Sequence, residues 1–420
     1  MRRKMLILCS IFLAGCTTNS SSSSIDSTSI SSVITSTSSE SSEKESSIDM
    51  SLFPNYIEDY EDLDYEFSDK EKSDPFWLGN VIYNETVLMV EKNGIISGTL
   101  KYAPKKILAV RDHTWQNVYD NSTYTIEGKK IIATSTIPHL QEENLVGDNI
   151  PLPYRKVESI ANVLTDYVLM GGAVYTESPF YYGNQVNVSY VYDVNDIDLE
   201  SYPTNEVSSF PKAVAKLTNK ETLRISALGD SVLEGCSSSS MFNHEPFLPN
   251  FMNLTKTILE DKYQTSVVLN NLSVGGKESN WGASPTQINA LKNSNPDLVF
   301  LHFGINDAGS RVPNSSFRDN MEFIVLSLLE DNPNVEIALL TFFSPNPQVY
   351  DTDLLDKYQG RLETMAKNNA RVQVMDLYKM SKDLLLDKRY EDFTANGINH
   401  PNDYTSRLYL QAILSKLYKY

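Results

Sequence analysis

From Leu223 to the C-terminus the sequence repeats one unit five times: a short apolar, β-branched run, then a loop, then an amphipathic stretch of helical length. The runs are Leu223 to Leu228, Ser266 to Asn270, Asp297 to Phe303, Val335 to Phe342 and Val372 to Leu377. Their near-continuous hydrophobicity fits strands buried on both faces. The helical stretches are about Phe247 to Tyr263, Thr286 to Asn293, Ser315 to Glu330, Asp353 to Asn368 and Asp403 to Leu417. Short buried strands alternating with helices predict an open parallel sheet covered on both faces, a three-layer αβα (flavodoxin-like) arrangement. Ligands of such sheets bind at the carboxyl ends of the strands, so the residues just after each strand are the ones to read.

Four blocks occupy those places. The first strand runs into Gly229-Asp230-Ser231, which puts a serine at a helix N-terminus, where backbone N–H groups converge. The second ends in Asn271-Leu272-Ser273-Val274-Gly275-Gly276, where glycine lets a backbone N–H approach a substrate oxygen. The third runs into Phe303-Gly304-Ile305-Asn306-Asp307, bringing a carboxamide donor to the same mouth. The last is Asn399-His400-Pro401 before the final helix, where a histidine can reach back to the first loop. Each block alone is an ordinary turn or cap.

Together and in this order the blocks resemble those of the SGNH (GDSL-type) hydrolases, over roughly residues 221 to 420. The resemblance implies that Ser231 is a nucleophile, that His400 is its base, and that the Ser231 N–H, the Gly276 N–H and the Asn306 side chain form an oxyanion hole. One position departs from it. The family usually has an aspartate three residues before the histidine, and here that residue is Gly397. The text Asn396-Gly397-Ile398-Asn399-His400 resembles a variant with the acid four positions back, which places Asn396 there. The group that orients His400 is therefore open among Asn396, Asp392, Asp403 and a main-chain carbonyl. Asp403 reads more simply as a helix cap or dipole partner. His302 reads as a hydrogen-bonded residue near the site, and His244 as a loop residue bordering the cleft.

Ahead of this half, from about residue 76 to 211, short β-rich runs alternate with turn signals, among them Asn93-Gly94, Glu127-Gly128, Gly171-Gly172 and Gly183-Asn184. The runs, Thr86 to Val90, Ile107 to Val110, Tyr124 to Ile126, Lys130 to Ala133 and Val186 to Val191, predict an all-β sandwich domain. Residues 212–420 then form the hydrolase domain. The N-terminus, Met1-Arg2-Arg3-Lys4 and an apolar run to Ala14, reads as a secretory signal. It ends in Leu13-Ala14-Gly15-Cys16, which resembles a bacterial lipobox and implies a signal peptide over 1–16 and lipidation of Cys16. A Ser/Thr-rich and then acidic stretch, residues 17–75, reads as a flexible tether from a membrane.

Three cysteines, Cys9, Cys16 and Cys236, leave an exported mature chain no pair to oxidise, and Cys236 reads as a small core residue. A net charge of −18 argues against nucleic acid as a partner. His113 and His139 lack a third ligand at metal spacing, so neither metal nor cofactor is expected. These readings predict a surface-anchored serine esterase that deacetylates polysaccharides, the serine run Ser237 to Ser240 making the mouth polar. The rivals are a lipase, lysophospholipase or thioesterase of the same fold, and a non-catalytic glycan-binding surface protein.

Overall fold

The computed structural model describes residues 48–63, 65, 70–145, 167–170, 173–177 and 179–420. Cys16 and the signal segment lie outside the described residues, as does most of the Ser-rich stretch. The first part of the chain is antiparallel apart from one short parallel pairing. Its strands are β1 (Val81–Leu88), β2 (Val90–Lys92), β3 (Ile95–Thr99), β4 (Lys106–Arg111), β5 (Tyr124–Glu127), β6 (Lys130–Ala133), β7 (Leu140–Gln141), β8 (Tyr167–Met170), β9 (Ala173–Thr176) and β10 (Gln185–Val191). They form a three-stranded sheet β1-β10-β4, a five-stranded sheet β5-β6-β3-β2-β7 and the two-stranded hairpin β8-β9. Asn93-Gly94 and Gly128 take the positive φ that their turns need, whereas Gly183-Asn184 lies in a 3-10 turn over Tyr182–Asn184.

The second part is the parallel sheet. Its strands β11 (Leu223–Gly229), β12 (Val267–Asn271), β13 (Leu298–His302), β14 (Glu336–Leu340) and β15 (Val372–Met375) stand in the order β12-β11-β13-β14-β15. Every pairing is parallel. The order reverses at β11, so the crevice of this doubly wound sheet opens at the end of the strand that leads into Ser231. Two helices, Pro211–Thr218 and Leu377–Leu384, add to those expected.

The two parts share one hydrophobic core, which runs from Trp77, Val87 and Tyr190 through Phe210 to Phe300 and Tyr409. Strand β10 shows how. Its alternation Gln185-Val186-Asn187-Val188-Ser189 suits a strand with one wet face, yet all seven residues are buried. Part of its polar face bonds the α/β half: Gln185 Nε2 donates to the Glu391 and Thr394 carbonyls at 2.7 and 3.3 Å.

A buried charged seam lies beside it. Lys388 Nζ meets Glu85 at 2.5 Å and Asp392 at 3.4 Å, and donates to the Thr86 and Thr99 carbonyls. Asp392 in turn accepts from Leu88 N–H at 2.6 Å. Arg407, fully buried on the last helix, donates to the carbonyls of Tyr83 and Asn84 at 3.1 and 2.7 Å. The β-rich part is thus fixed against the α/β part by bonds that are buried or partly buried.

The stretch read as a linker is not wholly a tether. Phe53 is buried, Ile57 and Asn80 exchange two 2.9 Å bonds, and the carbonyls of Tyr60 and Glu61 accept from Lys106 Nζ. Sparse apolar residues among many acids were enough to seat this segment. Among the described residues no helix is long and apolar enough to cross a membrane.

Candidate active site

Ser231 opens a four-residue helix after β11. Asp230, the N-cap, accepts from Val232 N–H at 3.0 Å, which fixes the turn that presents the serine. The same Asp230 oxygen lies 2.9 Å from His302 Nδ1, both side chains being buried. His302 is therefore hydrogen-bonded beneath the serine turn and makes no contact with its hydroxyl.

The glycine block is tied to the serine block. Asn271 Nδ2 donates to the Leu233 carbonyl at 2.8 Å, Gly275 N–H to Glu234 at 2.6 Å, and Val274 N–H to the Gly229 carbonyl at 3.1 Å. Gly276 has φ +72°, a left-handed conformation in which a side chain is disfavoured. Asn306 Nδ2 donates to the Lys277 carbonyl at 3.1 Å, which holds its carboxamide against the glycine turn. Ser231, at the first helical position, has an N–H with no intrahelical acceptor. An oxyanion requires donors of this kind, and the resemblance assigns that part to the Ser231 and Gly276 N–H groups and Asn306 Nδ2.

His400 completes the contact. Its Nε2 lies 3.0 Å from Ser231 Oγ, and the two side chains are almost wholly buried. The loop that carries it is closed by a bridge between Thr394 and Pro401, with Ala395 N–H donating to the His400 carbonyl. Asn396 is the hub of this loop. Its Oδ1 accepts the N–H groups of Ile398, Asn399 and His400 at 3.0 to 3.1 Å.

This differs from the place expected for Asn396. Its carbonyl oxygen is occupied by backbone donors, and the group at His400 Nδ1 is Glu177, just past β9, with Oε1 at 3.2 Å. Ser237 Oγ is 3.0 Å from the same nitrogen and donates to Glu177 Oε2 at 3.0 Å. Asn396 Nδ2 and Tyr175 OH both donate to Glu177 Oε1, at 3.2 and 3.0 Å. Burial alone would raise the Glu177 carboxyl. The facing His400 charge and the bonds from His400, Asn396 and Tyr175 outweigh that and hold it below its ordinary value.

The other candidates lie elsewhere. Asp392 belongs to the Lys388 seam, where burial pushes its carboxyl up to about 6. Asp403 stands at the first position of the last helix, capped by Asn402, and accepts from Ser239 N–H at 3.1 Å.

Glu177 was missed because it precedes Asn396 by 219 residues and stands in the β-rich half. The one trace in the sequence was Gly397, where the resemblance implied an acid. The serine run also proved different. Ser237, Ser238 and Ser239 are buried and only Ser240 is exposed, so the run mainly braces the loop behind His400, and of the three buried serines Ser237 alone borders a recess. Cys236 is buried and forms no disulfide. Among the described residues no cluster of His, Cys, Asp or Glu is arranged to hold a metal ion.

Residues 227–408 match the GDSL-like Lipase/Acylhydrolase family. The α/β half is an SGNH hydrolase domain, and the protein is a serine ester hydrolase. Among solved structures the chain is similar to a lipase from a goat rumen metagenome, with 17% identity, 46% of this chain and 97% of that one covered, and TM-score 0.36. It is also similar to a two-domain esterase active on acetylated mannans, with 19% identity, 53% and 56% covered, and TM-score 0.41. A third is a catalytic mutant of an acetylxylan esterase from Geobacillus stearothermophilus, with 16% identity, 46% and 94% covered, and TM-score 0.38. No curated protein matches the sequence.

Proposed function

We propose that the protein removes O-acetyl groups from polysaccharides outside the cytoplasm, tethered to the membrane through a lipid on Cys16. The observation that carries the chemistry is the 3.0 Å contact between His400 Nε2 and Ser231 Oγ. Ser231 Oγ attacks the ester carbonyl while His400 Nε2 takes its proton, and the carbonyl oxygen gathers negative charge facing the Ser231 and Gly276 N–H groups and Asn306 Nδ2. Collapse breaks the C–O bond, and His400 returns the proton to the departing alcohol. Water then repeats the sequence on the acyl-serine, releasing acetate and restoring Ser231.

A sugar ester is favoured by a recess on the far side of Ser237, walled by both halves of the molecule. His113, Trp115, Tyr182, Gln185 and Asn187 line it. Sugars present apolar CH faces and hydroxyls together, which this pairing of rings and amides suits. His244, stacked on Tyr182 with ring centres 4.2 Å apart, closes one edge.

The test is acetate release from acetylated xylan, mannan and pectin beside hydrolysis of p-nitrophenyl esters of increasing chain length, with Ser231→Ala as control. Acetate from a polysaccharide, lost in Ser231→Ala, is expected. Preference for long-chain esters would make the protein a lipase, and no turnover of any ester would leave the glycan-binding alternative. In cells, Cys16→Ala is expected to free the protein from the membrane fraction or block its processing. A processed mutant still needing detergent would overturn the anchor.

A further inference from the structure

We infer that Glu177, carried on the β-rich half, is the carboxylate that positions His400 and stabilises its protonated form, so that the hydrolase half is catalytically incomplete without the strand beside it. The inference rests on the esterase reading of Ser231 and His400. It assigns their missing acid to a residue outside the stretch that matches the family.

The packing explains why no acid stands at the usual place. Gly397 has φ +86°, and a Cβ there would come within 2.0 Å of the Val174 carbonyl oxygen and 2.6 Å of Tyr181 OH. No side chain fits while β9 lies against the loop. Strand β9 is held there by Thr176 N–H donating to the Asn396 carbonyl at 3.1 Å, and by Tyr181 OH bonded to the Val174 carbonyl at 2.8 Å. The residue following Thr176 is Glu177. The strand that occupies the space of the absent acid thus delivers a carboxylate to His400 from the other side.

The carboxylate is built in. Three donors converge on it besides the imidazole: Asn396 and Tyr175 on Oε1, Ser237 on Oε2. Side-chain exposure is 9% for Glu177 and 6% for His400, so their charge interaction is little screened. A serine-activating histidine needs an acceptor at Nδ1 to keep Nε2 toward the hydroxyl, and a negative charge to favour the imidazolium that forms during attack. Glu177 supplies both, whereas Ser237 Oγ can supply only the first. The other ionisable groups packed around His400 are engaged elsewhere: Asp403 with Ser239 N–H, Asp230 with His302 and Val232 N–H, and Glu234 with Gly275 N–H.

Glu177→Gln isolates the charge, because the donors on Oε1 hold the amide oxygen where the carboxylate oxygen was. With p-nitrophenyl acetate, Glu177→Gln is expected to lose on the order of 10²-fold in kcat and Glu177→Ala on the order of 10³-fold, with KM little changed. The acidic limb of kcat/KM should move to lower pH in Glu177→Gln, because imidazolium has lost a favourable charge. A structural role alone would lower stability without moving that limb. The His400 imidazole titration, followed by NMR in the same proteins, reads the same shift without turnover. Wild-type rates, limb and titration in a folded Glu177→Gln overturn the inference and leave the esterase reading standing. A wild-type protein inactive on every ester, with a His400 titration that still moves in Glu177→Gln, overturns the esterase reading and keeps the pairing.

Discussion

His302 and His400 are both buried and both hold a carboxylate at Nδ1, yet they are assembled differently. The His302–Asp230 pair forms between the ends of β13 and β11, neighbouring strands whose register sets Gly229 opposite His302. The His400–Glu177 pair forms between a loop of the α/β half and the end of a hairpin in the β-rich half. Beyond His302 Nε2 lies Tyr409 OH at 3.5 Å, and beyond His400 Nε2 lies the nucleophile. A histidine–carboxylate pair does not by itself mark a catalytic base. What distinguishes the two is the group on the second nitrogen, and that depends on where the chain brings its distant parts.

The largest effect that tests this contrast comes from the two histidines themselves. His400→Ala should lower kcat on the order of 10⁴-fold or more, the usual effect of removing a general base from a serine hydrolase. His302→Gln should retain kcat within about tenfold and lose about 1–3 kcal/mol of stability, because Asp230 Oδ1 keeps only the Val232 N–H while Oδ2 is already without a partner. Measured kcat and urea unfolding of both variants decide it. A His302→Gln enzyme as dead as His400→Ala would show that the two pairs work as one relay.

A somewhat smaller effect should come from the seam, and it should fall on one pair only. Lys388→Met leaves Glu85 and Asp392 buried with no cation between them, at a cost of about 3–5 kcal/mol in stability. Glu177 reaches His400 across this junction, so kcat should fall along with Tm while the Asp230–His302 pair persists. Unchanged kcat in a variant with lowered Tm would mean that the β8-β9 hairpin holds Glu177 in place unaided.

The same contrast governs how much was legible in the sequence. The contact of His400 with Ser231, and the tie of the glycine block to the serine block, could be read because each lies at a strand end or on the last loop, and five parallel strands leave one crevice. The helix from Asp403 to Leu417 was readable from its pattern, although its cap is Asn402 and Asp403 is its first residue. Glu177 was not readable, because a carboxylate placed by the docking of two sheets leaves no spacing pattern. Strand β10 shows a related limit: its alternation suits a strand with one wet face, yet all seven of its residues are buried. The buried Ser237 to Ser239 show the same limit, since a polar run signals exposure unless its partners, Glu177, His400 and Leu248 N–H, are known.

The smallest expected effect separates two buried carboxylates that respond to pH in opposite directions. Asp307 follows Asn306 and accepts from Ser279 N–H at 3.1 Å and from Ser279 Oγ at 2.5 Å. Burial raises its carboxyl to about 6; the Ser279 bonds pull the other way, and the charges of Glu278 and Asp230 add to the rise. Its folded value thus exceeds the ordinary 3.8, so the folded state binds more protons between about pH 4 and 6, and stability falls as pH rises through that window. The full cost, up to about 3 kcal/mol, is present above pH 6. Glu177 has the opposite sign: its folded value is depressed, so its contribution is present above the ordinary carboxylate range and is lost as pH falls through the folded value. Asp307→Asn keeps an acceptor for Ser279 and cannot ionise. Relative to wild type, it should gain on the order of 1–3 kcal/mol more at pH 8 than at pH 4.5 in chemical denaturation. Glu177→Gln should show the reverse trend in the acidic range, losing more as pH rises from below the folded value of Glu177. Parallel pH trends in the two variants would mean that the β-rich half does not hold Glu177 as an anion against His400, and the distinction between the two histidine pairs would lose its electrostatic basis.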